Sequence, residues 1–169
     1  MGLSNFLLNT VIWAFTMQMS TFLHEFGHCL PILALTPGNV EMILGFGKMK
    51  NSFKIGRLHL HLKGFAPWVG FMKVKEDVLL TKKLSLLLSL GGPAVSLLIG
   101  TSAFLLRFYA NSGLLYSVLS VTACYNWYLF ICTAVPIVYP QWWIGYSGYP
   151  SDGYRVLKLL TGKKTTSSR

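Results

Sequence analysis

Residues 20–35 read STFLHEFGHCLPILAL. Two histidines, a glutamate and a proline interrupt a stretch that is otherwise apolar, and the reading of this stretch decides the fold. No Lys or Arg occurs from Phe6 to Leu35. A run of about 20 mostly apolar residues is long enough to cross a bilayer, so the block of about 6–35 predicts a membrane helix. On that helix His24 and His28 are four positions apart and project from one face. Glu25 follows about 100° round the axis.

H-E-x-x-H on a helix is a metal-binding arrangement: two imidazoles hold Zn²⁺ and the glutamate serves as general base. The bland reading makes the histidines satisfied polar groups inside a helix bundle. Against it stands the cost of an ionised side chain at the centre of a membrane helix, about 2.5–3.5 kcal/mol on insertion scales. Three neighbouring ionisable groups need a compensating partner, and a divalent cation is one. The expectation is one zinc per chain, polarising a carbonyl and acidifying water. Glu25 then moves a proton from water to a leaving amine. Pro31 lacks an amide donor and its ring clashes with the Gly27 carbonyl, so the helix is expected to kink or end just past the histidines.

Two further apolar blocks follow, at about 84–108 and about 113–138. Together they predict an α-helical membrane protein with three transmembrane helices, in a chain of 169 residues that suits one domain. Lys and Arg number 15 against 5 Asp and Glu, a net charge of +10. The basic residues fall outside the apolar blocks, which argues for a lipid bilayer surface and against nucleic acid as the partner. They crowd the first loop and the tail (Lys163, Lys164, Arg169). By the positive-inside rule the N-terminus lies outside and the C-terminus in the cytoplasm, in a multi-pass protein of the cell membrane. The N-terminus lacks a basic n-region and a small-residue cleavage site, so the first helix is expected to remain. Cys29, Cys124 and Cys132 all lie in apolar blocks and read as small buried hydrophobes.

Between the first and second helices, Arg57 to Lys63 alternates polar and apolar residues, the pattern of a half-buried strand. Gly64 to Pro67 supplies turn residues, and Val69 to Val74 reads as a second strand pairing back. The expectation is a membrane-associated β-hairpin at about 53–75. His59 and His61 share one strand face. Arg57 and Lys63 flank them and repel a cation, so they read as the wet face of the hairpin.

Catalytic zinc usually has three protein ligands. The acids besides Glu25 are Glu41, Glu76, Asp77 and Asp152. Glu76 and Asp77 sit among lysines and read as solvated. Glu41, just past the first helix, and Asp152, in GYPSDGYRVLKLL after the third, both remain candidates.

These elements in this order resemble the site-2 protease family of intramembrane zinc metalloproteases. The likeness covers most of the chain. LGFGKMKNSFKIGRLHLHLKGFAPWVGFMKV (44–74) resembles the family's glycine-containing stretch and membrane-associated hairpin. GGPAVS (91–96) resembles its Gly-Pro segment, and NWYLFICTAVPIVYP with SDGY resembles its asparagine–proline–Asp-Gly segment, here about 150–161 at its Asp-Gly end. The resemblance implies His24, His28 and Asp152 as zinc ligands and Glu25 as base. Ser96 and Thr133 stand where the family often has Asn, and Ile137 to Ser151 is a longer, aromatic insert.

Asn126 and Thr133 are candidates for holding an oxyanion, or for tying helices together. Gly91 and Gly92 permit close backbone approach, and Gly92 is a candidate for leaving room beside the zinc. Trp142, Trp143, Tyr146 and Tyr149 read as interfacial anchors or as a gate beside Asp152. The function expected is zinc-dependent hydrolysis of a peptide bond in or next to a membrane-embedded protein or peptide substrate, near the cytoplasmic side. An exposed strand edge is expected to hold the unwound substrate by β-augmentation. So small a chain also fits accessory membrane partners. The alternatives are a non-catalytic zinc-bound scaffold or immunity-type protein, and a metal-handling protein that uses His59 and His61.

Overall fold

Helix α1 runs from Leu3 to Leu35 and carries Pro31 inside it. The computed structural model describes residues 3–76 and 78–162; Asp77, Lys163, Lys164 and Arg169 lie outside them. The helix does not end after the histidines but continues through Pro31 to Leu35. Pro31 removes the amide that would bond the Gly27 carbonyl. That carbonyl lies against the backbone of Gly91, where a methyl group would collide with it. A Cβ on Gly27 would in turn lie 2.5 Å from the Gly91 carbonyl oxygen. Two facing glycines thus let the helices cross at backbone contact.

Four strands follow: β1 (Val40–Leu44), β2 (Phe46–Ile55), β3 (Leu58–Gly64) and β4 (Gly70–Val74). They form one sheet in the order β2-β3-β1-β4. A hairpin does lie between the first two long helices, but its arms are β2 and β3, turning at Gly56 with φ of +59°. The expected partner of β3 within 53–75, strand β4, pairs antiparallel with β1 instead, and β1 pairs parallel with β3. The reason is burial. Val40, Met42, Ile43 and Leu44 of β1 are all buried, so this strand takes the centre of the sheet. The chain after β3 crosses its end at Gly45, whose amide donates to the Val69 carbonyl at 2.8 Å.

The sheet packs on the second half of α1 and the start of the next helix. Cys29, Ile32, Val40, Met42, Leu44, Leu58, Leu84 and Leu88 form one buried cluster. Arg57 donates to the carbonyls of Leu33, Thr36 and Gly38 at the C-terminus of α1. A cation there meets the negative end of the helix dipole.

Helix α2 (Lys82–Leu106) starts at Thr81, whose hydroxyl accepts from the Leu84 amide at 3.2 Å. A 3-10 turn, Arg107–Tyr109, extends it. Helix α3 (Gly113–Ala134) stops short of the expected 138. Val135 precedes Pro136, and the proline ring drives it to an extended backbone, φ −66° and ψ 127°. Helix α4 (Asp152–Thr161) follows the aromatic insert.

Among the described residues, two helices are long and apolar enough to cross a membrane: Lys82–Tyr109 and Gly113–Ala134. Only 39% and 22% of their apolar windows are buried, so most of that surface faces outward. Helix α1 has the length, 33 residues, but Asn9, Gln18, His24, Glu25 and His28 dilute its apolar character. Cysteine burial is uneven: Cys29 is buried, Cys132 is intermediate and Cys124 is exposed on α3.

Candidate metal centre

The HEFGH turn of α1 faces α2, and α2 is built to receive it. His28 Nδ1–H donates to the Leu88 carbonyl at 2.6 Å. His24 Nδ1 is hydrogen-bonded to the Ser96 hydroxyl at 2.8 Å. Both rings turn their Nε2 atoms to the same point, 3.2 Å apart. Partners of this kind on the outer nitrogen are what orient histidine ligands. Gly92 lies under the His28 ring: an added Cβ would sit 2.6 Å from Cε1 and 2.7 Å from Cδ2. It seats the ring, rather than leaving room for substrate.

The third donor arrives from the far end of the chain. Asp152 Oδ2 lies 3.2 Å from His28 Nε2 and 3.7 Å from His24 Nε2. The long insert does not displace it, because the ends of the insert are zipped together. Val138 bridges Pro150, the Tyr139 amide donates to the Tyr149 carbonyl, and the Ser151 amide donates to the Ile137 carbonyl, each at 2.9 Å. Ser151 caps α4 by accepting from the Tyr154 amide at 3.1 Å, and its hydroxyl donates to the Val135 carbonyl at 2.6 Å. Gly153 is needed because a side chain there would strike the Ala134 carbonyl. Burial alone pushes the Asp152 carboxyl up, but the His28 and His24 imidazoles outweigh it and hold it below the usual carboxylate range.

Two imidazole nitrogens and a carboxylate oxygen converge on one point. Such a cluster requires a proton or a cation at its centre. The three donor atoms lie within 4.8 Å of one another, and the cluster can hold a metal ion. Glu41 is far from this role: it pairs with Lys75 across the sheet at 3.3 Å. His59 and His61 do not join it, and His61 Nδ1 is bonded to the Ser52 hydroxyl at 3.1 Å.

Glu25 is buried beside the cluster. Strand β4 lies directly against it, for a Cβ on Gly70 would come within 2.5 Å of Glu25 Cγ and 2.9 Å of Oε1. Thr21, one turn earlier on α1, holds the preceding loop in place. Its hydroxyl donates to the Pro67 carbonyl at 2.7 Å and accepts from Tyr125 at 3.0 Å.

A cavity of about 1130 Å³ opens onto His24, Glu25, His28 and Asp152 and runs along β4. Its volume exceeds the upper end of small-molecule pockets, roughly 1,000 Å³. Trp143, Tyr146 and Tyr149 line it, whereas Trp142 is 77% exposed. Thr133 lines it too, but its hydroxyl donates back to the Leu129 carbonyl at 2.8 Å. Asn126 is not on its wall. The fully buried amide donates to the Ser20 hydroxyl and to the Thr122 carbonyl, each at 2.8 Å, and ties α3 to α1.

Sequence reasoning gave no role to Gly27 or Gly70, did not make Ser96 the partner of His24, and read Tyr146 as an anchor or gate, not as a partner of β4. Ser96 carried a signal, as a polar residue at a helix position in the GGPAVS segment. Gly70 carried none, and nothing directed Tyr146 to β4, because their contact depends on pairing between distant segments. Comparison of the chain with protein-family models, with curated proteins and with solved structures gives no match.

Proposed function

We propose that the protein is a zinc-dependent intramembrane peptidase of the site-2 protease type, hydrolysing a peptide bond in or next to a membrane-embedded substrate near the cytoplasmic face. One observation carries the reading: a two-imidazole, one-carboxylate cluster with the Glu25 carboxylate beside it, at the wall of a cavity larger than a small molecule needs. Two nitrogens and one oxygen are a donor set that catalytic zinc takes, with a position left open. Bound zinc supplies carbonyl polarisation and a more acidic water.

The residues of the chain do the rest. His24, His28 and Asp152 hold the cation, and Ser96 and Leu88 keep both imidazoles in the tautomer that presents Nε2. Glu25 takes a proton from the attacking water on its carboxylate and passes it to the leaving nitrogen. Strand β4, at the edge of the sheet, pairs with the extended substrate backbone.

The membrane reading extends to three spans. At about 1.5 Å per residue, α1 exceeds the roughly 30 Å of hydrocarbon that a helix must cross. Leu98, Leu105 and Leu114 on α2 and α3, with Val11 and Phe15 on α1, are exposed, as lipid-facing residues are. The histidines lie in the second half of α1, with the basic loop, so the centre belongs near the cytoplasmic face.

The test is metal content and proteolysis together, in purified wild type, Asp152→Ala and Glu25→Gln. We expect about one zinc in the wild type, as a three-ligand site holds, and loss of it in Asp152→Ala. Glu25→Gln should keep the zinc and lose cleavage of co-expressed membrane proteins, read by mass spectrometry. Full cleavage by Glu25→Gln refutes the base. Intact cellular function in Glu25→Ala, with zinc retained, supports the non-catalytic scaffold.

A further inference from the structure

Strand β4 has one partner strand, β1, and its other edge faces the cavity. The register shows which backbone groups face which way. Val69 and Lys75 exchange hydrogen bonds with the β1 side, through Gly45 and Asn39. Phe71 and Lys73, opposite Ile43 and Glu41, share their phase. The intervening residues Gly70, Met72 and Val74 therefore turn their N–H and C=O groups to the free edge, since bonding sides alternate along an antiparallel strand.

At the first of these positions the edge is already taken. The Gly70 amide donates to the Tyr146 hydroxyl at 2.9 Å, and the same hydroxyl donates to the Gly70 carbonyl at 3.0 Å. The Trp68 carbonyl lies at 3.3 Å as a second acceptor. One phenol thus makes both bonds that an added strand makes at one residue. Tyr146 is well held. Its ring packs on Phe71 at 5.0 Å and on Tyr139 at 5.6 Å. Gly145 beside it takes φ of +92° against Val69. Burial, and then the Glu25 carboxylate, push the phenol well above its ordinary pKa, so it stays a hydrogen-bond donor.

We propose that Tyr146 is a positioning residue: it ends the usable edge of β4 at Gly70 and so fixes the register in which an extended peptide pairs with Met72 and Val74 beside Glu25. The occupant is an extended peptide because the free groups are backbone donors and acceptors in strand phase, which another backbone matches. The inference rests on the peptide reading above. The register matters because Gly70 is the residue against Glu25. A peptide that also pairs at Gly70 slides along the edge by about two residues, one pleat period.

The probe is a synthetic single-span leucine–alanine peptide with a central Asn-Gly-Ser break, in liposomes with the full chain. Two measurements are made on the wild type and on Tyr146→Phe, which keeps the ring and loses the hydroxyl. The first is residue-resolved amide exchange in the Glu25→Gln background. The peptide should slow exchange at Met72 and Val74 and leave Gly70 unchanged; with Tyr146→Phe added, Gly70 should be slowed as well. The second is the cut site by mass spectrometry, which should move by about two residues, or gain a second cut so displaced, in Tyr146→Phe. The same cut and the same protection pattern in both proteins overturns the proposal, as does a peptide that leaves β4 unprotected. The protection pattern without any cleavage upholds the register and counts against the peptidase.

Discussion

Ser96 and Gly92 are two of the α2 residues on which the histidines rest. Ser96 orients His24 through its outer nitrogen, and Gly92 makes room for the His28 ring. Such outer partners of a metal ligand are worth about 10–100-fold in metal affinity. Ser96→Ala should therefore bind zinc about 10–100-fold more weakly, measured by titration against a chelator, while helix content stays the same. Unchanged affinity would mean that His24 is oriented by packing alone. Asn126 shows the opposite outcome. As a buried amide near the second half of α3 it is chemically able to hold an oxyanion, but its donor is spent on Ser20 and Thr122.

Strand β4 joins the sheet to the centre. Its inward groups belong to β1, and its outward groups are the ones that the proposed substrate backbone would meet. Met72→Pro tests that division. The outward amide at Met72 is not part of the β1 ladder, and edge strands tolerate proline where the amide faces away from the sheet. Cleavage should fall sharply while zinc content and fold are retained. Cleavage at the wild-type rate would remove β4 as the peptide-binding edge. The hairpin expected at 53–75 missed this, because alternation in Arg57 to Lys63 marks a strand but names no partner. Partner choice followed the burial of β1, whose five residues VEMIL carry no turn signal and too short a pattern to stand out.

The sheet, the metal cluster and α4 all gather at one end of the long helices. The C-terminal half of α1, the start of α2 and the end of α3 meet there, and the short turn at Arg107–Tyr109 lies at the other end of α2. In the proposed three-span arrangement, that end is expected to face the cytoplasm. A reporter enzyme fused after α4 should be active only in its cytoplasmic form, and one fused before α1 only in its external form. A C-terminal reporter on the outer face would overturn the three-span arrangement.

The sequence by itself determined what is local. A four-residue spacing on one helix places two imidazoles on a common face whatever surrounds them. Long apolar blocks make long helices, and alternation makes a strand. Resemblance added Asp152 to the pair in α1. Only the tertiary structure decided what depends on segments far apart. It rejected Glu41 by pairing it with Lys75, set the Gly27 carbonyl against Gly91 so that two helices cross at backbone contact, and brought Tyr146 to the edge of β4. Those outcomes turn on which backbone lies within hydrogen-bond or van der Waals reach of which other. That is set by burial and packing over the whole chain, and no window of sequence contains it.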